Sequence, residues 1–169
     1  MEKNNVTQSR NQIKSMALAS VLVAVTVVVS RVFIIPIPLT HGYINLCDAG
    51  IFVAAFLLGP KLGGLVGGIT GFLLDLLAGY GQYMLFSLVV HGLEGLIVGL
   101  WANRDSNHWW VRIMAMTLGT LVMVGGYFLS DMMLYNTAAG IIGIPMNIIQ
   151  GVIGMVVTVL IYPMIKRRI

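Results

Sequence analysis

The sequence predicts an all-α integral membrane protein: six transmembrane helices in one bundle, with both termini in the cytoplasm. Three observations carry that expectation. First, 58% of the 169 residues are hydrophobic and only 9% are charged, against about a quarter charged in globular domains, and the mean hydropathy is +0.92. Second, the apolar residues fall in runs separated by Pro, Gly and Asn clusters, and most of these runs approach the roughly 20 residues that cross a bilayer. Third, Lys and Arg gather at one set of helix ends. Six spans use about 120 residues, which leaves no room for a soluble catalytic, nucleotide-binding or receptor module. Residues 1–169 therefore read as a single integral-membrane domain with short cytoplasmic tails at 1–11 and 166–169.

Taken in order, the first run follows Lys3, Arg10 and Lys14 and predicts a helix over 12–35, ended by Pro36 and Pro38. It is longer than a signal-peptide core and no small-x-small cleavage site follows, so an uncleaved first span is expected. The second helix, 46–59, is short for a full span and stops at Gly59-Pro60-Lys61. The third, 61–79, is glycine-rich and closes at Gly79-Tyr80-Gly81. The fourth, 82–102, and fifth, 110–135, flank the polar stretch Asn103 to His108. After a break from Asn136 to Pro145, the sixth is expected over 144–165. With the N-terminus inside, nine of the ten basic residues lie on the cytoplasmic side and only Arg31 falls outside. Such an excess on cytoplasmic loops sets orientation. Trp101, Trp109 and Trp110 sit at the same edge, as an interfacial aromatic belt does.

Several functions are excluded on chemistry. A pI near 9.5 without a basic patch on a soluble face argues against nucleic-acid binding. The single cysteine, Cys47, rules out an internal disulfide and metal sites built from several thiolates. No GxxxxGK[ST] pattern occurs, so the chain cannot hydrolyse ATP by itself.

The few polar residues are the functional signal. Asp48, Asp75, Glu94 and Asp131 lie within or at the ends of predicted spans, where an ionised acid costs about 3 kcal/mol and faces a cavity or a partner. At about 100° per residue, Tyr83, Ser87, His91 and Glu94 share one stripe of the fourth helix. Thr120, Tyr127, Asp131 and Tyr135 form a stripe on the fifth, and Asn147, Gln150, Gly154 and Thr158 on the sixth. Turned inward, these stripes enclose a pocket of aromatic faces, hydrogen-bonding groups and carboxylates suited to a small polar heterocycle. His41, Asn45 and Asp48 add to this set of candidates from the outer end.

Plainer readings stand beside this one. Asn45 and Asp48 fit a helix-capping pair as well as a ligand contact. Asp75 shares a face with Gly64, Gly68 and Gly71, so it fits a hydrogen-bonded residue at a close helix contact. Arg31 and one of the acids can neutralise each other. His91 with Glu94 is half of a metal site without a second His-rich cluster, so no metal is expected. Ser87 with His91 imitates a nucleophile and base without an oxyanion-hole motif. The pairs Ser15/Ala19 and Ser20/Ala24 are small-xxx-small spacings near the cytoplasmic end of the first helix, suited to a neighbouring helix or to a groove for a partner protein.

Six helices in about 170 residues, a Pro-containing loop after the first, and the run from Tyr43-Ile44-Asn45-Leu46-Cys47-Asp48 through Leu57-Leu58-Gly59-Pro60-Lys61 and Gly67-Gly68 to Asp75-Leu76-Leu77-Ala78-Gly79-Tyr80 carry a family resemblance. The chain resembles the substrate-binding S components of energy-coupling factor (ECF) vitamin transporters, most of all the branch for hydroxymethylpyrimidine, pyridoxine or similar precursors. The resemblance implies capture of a small vitamin at the outer face and no catalysis in this chain. It also implies docking on a transmembrane coupling subunit, the T component, that carries two cytoplasmic ATPases; ATP and Mg belong to those partners. In the family an Ala-xxx-Ala motif on the first helix contacts the coupling subunit, and Ser20-xxx-Ala24 and Ser15-xxx-Ala19 are its nearest matches here. Two other classes remain open: a self-sufficient proton-coupled carrier, and an intramembrane enzyme or metal-binding protein using His91, Glu94 and Asp131.

Overall fold

The computed structural model describes residues 2–37, 42–102 and 108–168, with side chains from Ser9 onward. Six helices and a two-stranded ribbon follow one another as α1 (Glu2–Val32), β1 (Ile35–Pro36), β2 (Tyr43–Ile44), α2 (Cys47–Leu58), α3 (Pro60–Ala78), α4 (Met84–Trp101), α5 (Trp109–Leu134) and α6 (Thr137–Lys166). Five of the helices are long and apolar enough to cross a membrane. Their exposed faces carry Val, Leu, Ile and Met side chains such as Val28, Leu85, Leu121 and Leu160, a surface suited to lipid.

The sixth helix, α2, differs in kind. Its 12 residues extend about 18 Å, well short of the roughly 30 Å hydrocarbon core. It is instead the axis of the bundle: Ile51, Phe52, Val53, Ala54 and Ala55 are at most 1% exposed, and α1, α3, α4 and α6 all pack on it. Phe52, Val53, Ala55 and Phe56 join Val98, Met116 and Tyr162 in a core at the end where α2 and α4 stop and α5 begins. Because the solvent is lipid, apolar burial contributes little here, and close packing with interhelical hydrogen bonds holds the helices.

The closest packing is between α3 and α4. The glycines of α3 lie against the backbone of α4: a Cβ at Gly64 would meet the carbonyl of Gly92 at 3.0 Å, one at Gly68 the carbonyl of Leu88 at 2.8 Å, and one at Gly71 the carbonyl of Ser87 at 2.8 Å. The facing helix contributes Gly92, Gly95 and Gly99, a second small-residue face that the sequence reading did not single out. At the end of α3, Gly79 takes a left-handed φ of 82°, which glycine adopts without strain.

Three expectations change. The chain between α1 and α2 is not plain loop: Ile35 pairs with Ile44 and Pro36 with Tyr43 in an antiparallel ribbon. The first helix begins at Glu2 rather than 12 and ends at Val32 rather than 35. The sixth begins at Thr137, seven residues before the expected start at 144. Asn136 caps it by accepting a hydrogen bond from the Ala139 amide at 3.0 Å, and the helix runs on through Pro145. Proline favours a helix start but also occurs inside membrane helices, where neighbouring helices compensate the lost backbone bond.

Candidate functional site

At the end of the bundle where α3 and α5 finish and α4 and α6 begin, side chains from four helices and β2 converge on a cavity of about 30 Å³. Its polar wall comprises Tyr43, Asn45, Asp75, Tyr83, His91 and Tyr127, together with Asp131, Asn147 and Gln150. Ile37, Leu74 and the backbones of Gly42 and Gly71 complete it. The volume is that of one or two waters.

The stripe on α4 builds the deepest part. Ser87 and the Tyr127 hydroxyl are 2.6 Å apart, that hydroxyl is 3.0 Å from His91 Nε2, and His91 Nδ1 is 2.7 Å from Glu94 Oε2. This four-member chain is satisfied in either of two senses. Ser87 donates to Tyr127, Tyr127 to Nε2 and Nδ1–H to an ionised Glu94; or a protonated Glu94 donates to Nδ1 and every bond reverses. Both ring nitrogens are engaged in either case.

Beside the chain lies a second group. Asp48 Oδ1 accepts from Gln150 Nε2 at 2.9 Å and lies 3.9 Å from His91 Nδ1. Gln150 Oε1 in turn accepts the Asn45 amide at 2.8 Å, and Asn45 Oδ1 accepts the Cys47 amide at 2.7 Å. The N-cap of α2 is Leu46, without a side-chain cap bond; Asn45 makes an Asx turn onto the Cys47 amide just before it, and the Asn45 amide and Asp48 Oδ1 both bond Gln150 of α6 rather than each other. Gly154 permits this approach, since a Cβ there would meet Asp48 Cβ at 2.7 Å. Nearer the mouth, the Tyr43 hydroxyl donates to Asp75 Oδ1 at 2.8 Å and its ring lies 4.6 Å from that of Tyr80. Burial, then the neighbouring Asp75 carboxylate, pushes the Tyr43 phenol well above its ordinary value, so it remains a donor. The Tyr83 hydroxyl donates to Asp131 Oδ1.

Stability alone does not account for this concentration of acids. Each ionised carboxyl in the bundle costs about 3 kcal/mol on insertion scales, while an interhelical hydrogen bond returns about 0.6 kcal/mol. Asp48 Oδ2, Asp75 Oδ2 and Glu94 Oε1 are buried with no partner among the described residues. Cys47, Asp48 and His91 hold ligand atoms within 4.8 Å of one another, so a soft divalent metal has a donor set here. Binding it through His91 would break a bond to Tyr127 or to Glu94.

A family model described as ECF-type riboflavin transporter, S component, matches residues 10–167. The chain belongs to this S component family. It is therefore a transport subunit and not an enzyme, and a multi-pass protein of the cell membrane. Among curated proteins it is 39% identical over 156 residues to the thiamine precursor transporter HmpT of Lactococcus lactis subsp. cremoris (strain MG1363), covering 92% of this chain and 89% of that one. It is 36% identical over 135 residues to an uncharacterized protein of the gap 3′ region of Pyrococcus woesei, covering 80% and 90%.

Of the residues expected to bind substrate in this S component, Tyr83, His91, Tyr127, Asp131, Asn147, Gln150 and Asn45 line the cavity. Ser87, Glu94 and Asp48 stand behind them and bond to lining residues. His41 lies outside the described residues. Thr120 and Tyr135, on the α5 stripe, lie off the cavity: Thr120 is buried against Gly151 and Tyr135 is exposed near Gln82. Asp75 and Gly71, expected as packing residues, pack and also line the cavity. Tyr43 was missed as a site residue; it joins the cavity wall from β2, beside Asn45, and a strand of two residues leaves no period to read in the sequence. Arg31 is exposed and forms no ion pair with the described acids. Of the small-residue pairs on α1, Ala19 is buried against Ala54 and Val66, whereas Ser20 and Ala24 are exposed.

Proposed function

We propose that this S component captures a small, single-ring vitamin precursor of the hydroxymethylpyrimidine type at the outer face of the membrane, with pyridoxine the next candidate. The observation that carries the reading is the convergence of Tyr83, Tyr127, Asp131, Asn147 and Gln150 on one cavity. An aminopyrimidine offers amino protons to carboxylates, ring nitrogens to hydroxyl and amide donors, and a π-face to tyrosines. The thiamine-precursor function in the name of the 39% identical relative supports the same class. A flavin suits the site less well, since a fused three-ring system must displace far more of the wall than one ring. Even one ring needs more than about 30 Å³, so binding opens the cover formed by Ile37 and Gly42 to Asn45.

Both termini lie in the cytoplasm in this reading, on the distribution of nine of ten basic residues. The chain docks on a T component bearing two ATPases, which supply the ATP and Mg, and it holds no cofactor or metal of its own. A groove of about 90 Å³ between α1 and α3, lined by Met16, Ala19, Ser20, Val23, Leu62 and Leu65 among others, gives the coupling subunit a shallow apolar seat. The decisive experiment is calorimetry of the purified chain with hydroxymethylpyrimidine, pyridoxine and riboflavin, paired with mass spectrometry of whatever ligand it retains. Tight binding of riboflavin alone would sink the single-ring reading. The chain from Ser87 to Glu94 favours one second reading, a proton-coupled carrier. Uptake by the chain alone in liposomes, without ATPases, would establish that alternative.

A further inference from the structure

At the end of the bundle opposite the substrate cavity there is a larger recess, about 360 Å³, lined by Trp109, Arg112, Tyr162, Pro163, Lys166 and Arg167. Among the described residues its lining gathers three cations and no acid. Its floor is aromatic: the Arg112 guanidinium carbon lies 4.8 Å from the Tyr162 ring centre and 5.2 Å from that of Trp109, and Lys166 Nζ lies 5.9 Å from Tyr162. Arg112 is 4% exposed, whereas Lys166 and Arg167 stand exposed at the rim. Two further features fix the environment. Trp101 and Trp110, 56% and 77% exposed, mark this end as the level of the membrane interface. Below the rim on α6, Leu160 and Met164 are 65% and 67% exposed and four residues apart, so they form an apolar strip that leads up to Arg167 one turn later.

We propose that this recess binds the phosphate of an anionic phospholipid headgroup, with an acyl chain lying along Leu160 and Met164. A phosphate is the shared chemistry that Lys166 and Arg167 recognise at the rim. The apolar strip is what a lipid uses and free phosphate does not. Basic pockets between helices on the cytoplasmic side are suited to such headgroups, and the Tyr162 ring, 5.9 Å from Lys166 Nζ, attracts that cation to the edge of the recess.

The test uses the purified full chain in mixed micelles containing phosphatidylglycerol or phosphatidylcholine with the same acyl chains, and native mass spectrometry to count retained lipid. Phosphatidylglycerol is expected to be retained in clear preference. The double variant Lys166→Gln/Arg167→Gln should lower that retention about 25-fold, because each cation near an anionic lipid is worth about fivefold. The double variant Lys14→Gln/Lys61→Gln removes two exposed cations elsewhere and should leave retention unchanged. Binding of the transported ligand by each variant reports that it is folded. Equal losses in both doubles, or no preference between the lipids, would overturn the site. So would displacement of phosphatidylglycerol by excess inorganic phosphate, which would make it a small-anion site.

Discussion

At the scale of single residues, the proposed function separates cavity-lining groups that would meet the ligand from groups behind them that hold the wall in place. Asp131→Asn keeps an acceptor for the Tyr83 hydroxyl but removes the charge, so ligand affinity should fall about tenfold or more, as hydrogen bonds to charged groups are worth about 1.5–3 kcal/mol. Calorimetry reads this directly, and unchanged affinity would move the recognition elsewhere. His91→Ala should weaken binding further, because it also strands Glu94 and leaves Tyr127 with Ser87 alone. Tyr43→Phe keeps the ring against Tyr80 and removes only the donor to Asp75. The phenol is held above its ordinary value in the folded chain, so its contribution to stability is full below about pH 10, the unfolded value, and is lost as pH rises through the folded one. Wild-type and Tyr43→Phe proteins should therefore keep a constant difference in melting temperature from pH 6 to about 9; a difference that shrinks across that range would refute the assignment. In the sequence, the helical stripes made Tyr83, His91, Tyr127, Asp131, Asn147 and Gln150 legible, since a 3.6-residue period is visible in one chain. Tyr43 was not legible as a ligand-facing group, because two-residue strands are too short to show a period and their register is set by the partner strand.

At the scale of elements, the same contrast separates α3 from α5. A Cβ at Gly67 would overlap the carbonyl of His91, whereas one at Gly125 meets nothing within 4 Å. Gly67→Ala should therefore destabilise the protein by about 1–3 kcal/mol through overpacking and disturb His91 with it. Gly125→Ala should be neutral or stabilising by up to about 1 kcal/mol from helix propensity. Thermal unfolding in detergent separates the two, and equal effects would show that α3 and α4 are not in backbone contact. The small-xxx-small spacings of Gly63, Gly67 and Gly71 and of Gly64 with Gly68 announced a close helix contact, but not its partner helix, because spacing on one helix says nothing about what it faces. The early start of α6 was hidden for a related reason. Pro145 reads as a helix start by local preference, yet it lies inside α6, which packs on α5 with Gly143 leaving room for Asp131, where a Cβ would meet Oδ2 at 2.9 Å. The shortness of α2 was visible in the sequence; its place at the centre, enclosed by four helices, was a tertiary fact.

At the scale of the whole molecule, the polar cavity lies at one end of the bundle and the basic and aromatic recess at the other. In the proposed reading, docking uses the flank between them. Ser20 is exposed beside the α1–α3 groove, and Ser20→Leu should block uptake by the assembled transporter while leaving ligand affinity intact; loss of both would mean that the bundle itself had been damaged. Orientation decides whether this geometry captures from outside, and the chain is unusually well suited to testing it. Its single cysteine, Cys47, is fully buried, so a cysteine placed at an exposed site is labelled without background. Gly81, with open space around it, and Lys61, exposed near the start of α3, mark opposite ends of that helix. A membrane-impermeant maleimide applied to intact cells should label Gly81→Cys and spare Lys61→Cys, which should react only after permeabilisation. The reverse pattern would put the cavity on the cytoplasmic side, where it would release substrate instead of capturing it, and the positive charges at the other end would then oppose the usual rule for insertion.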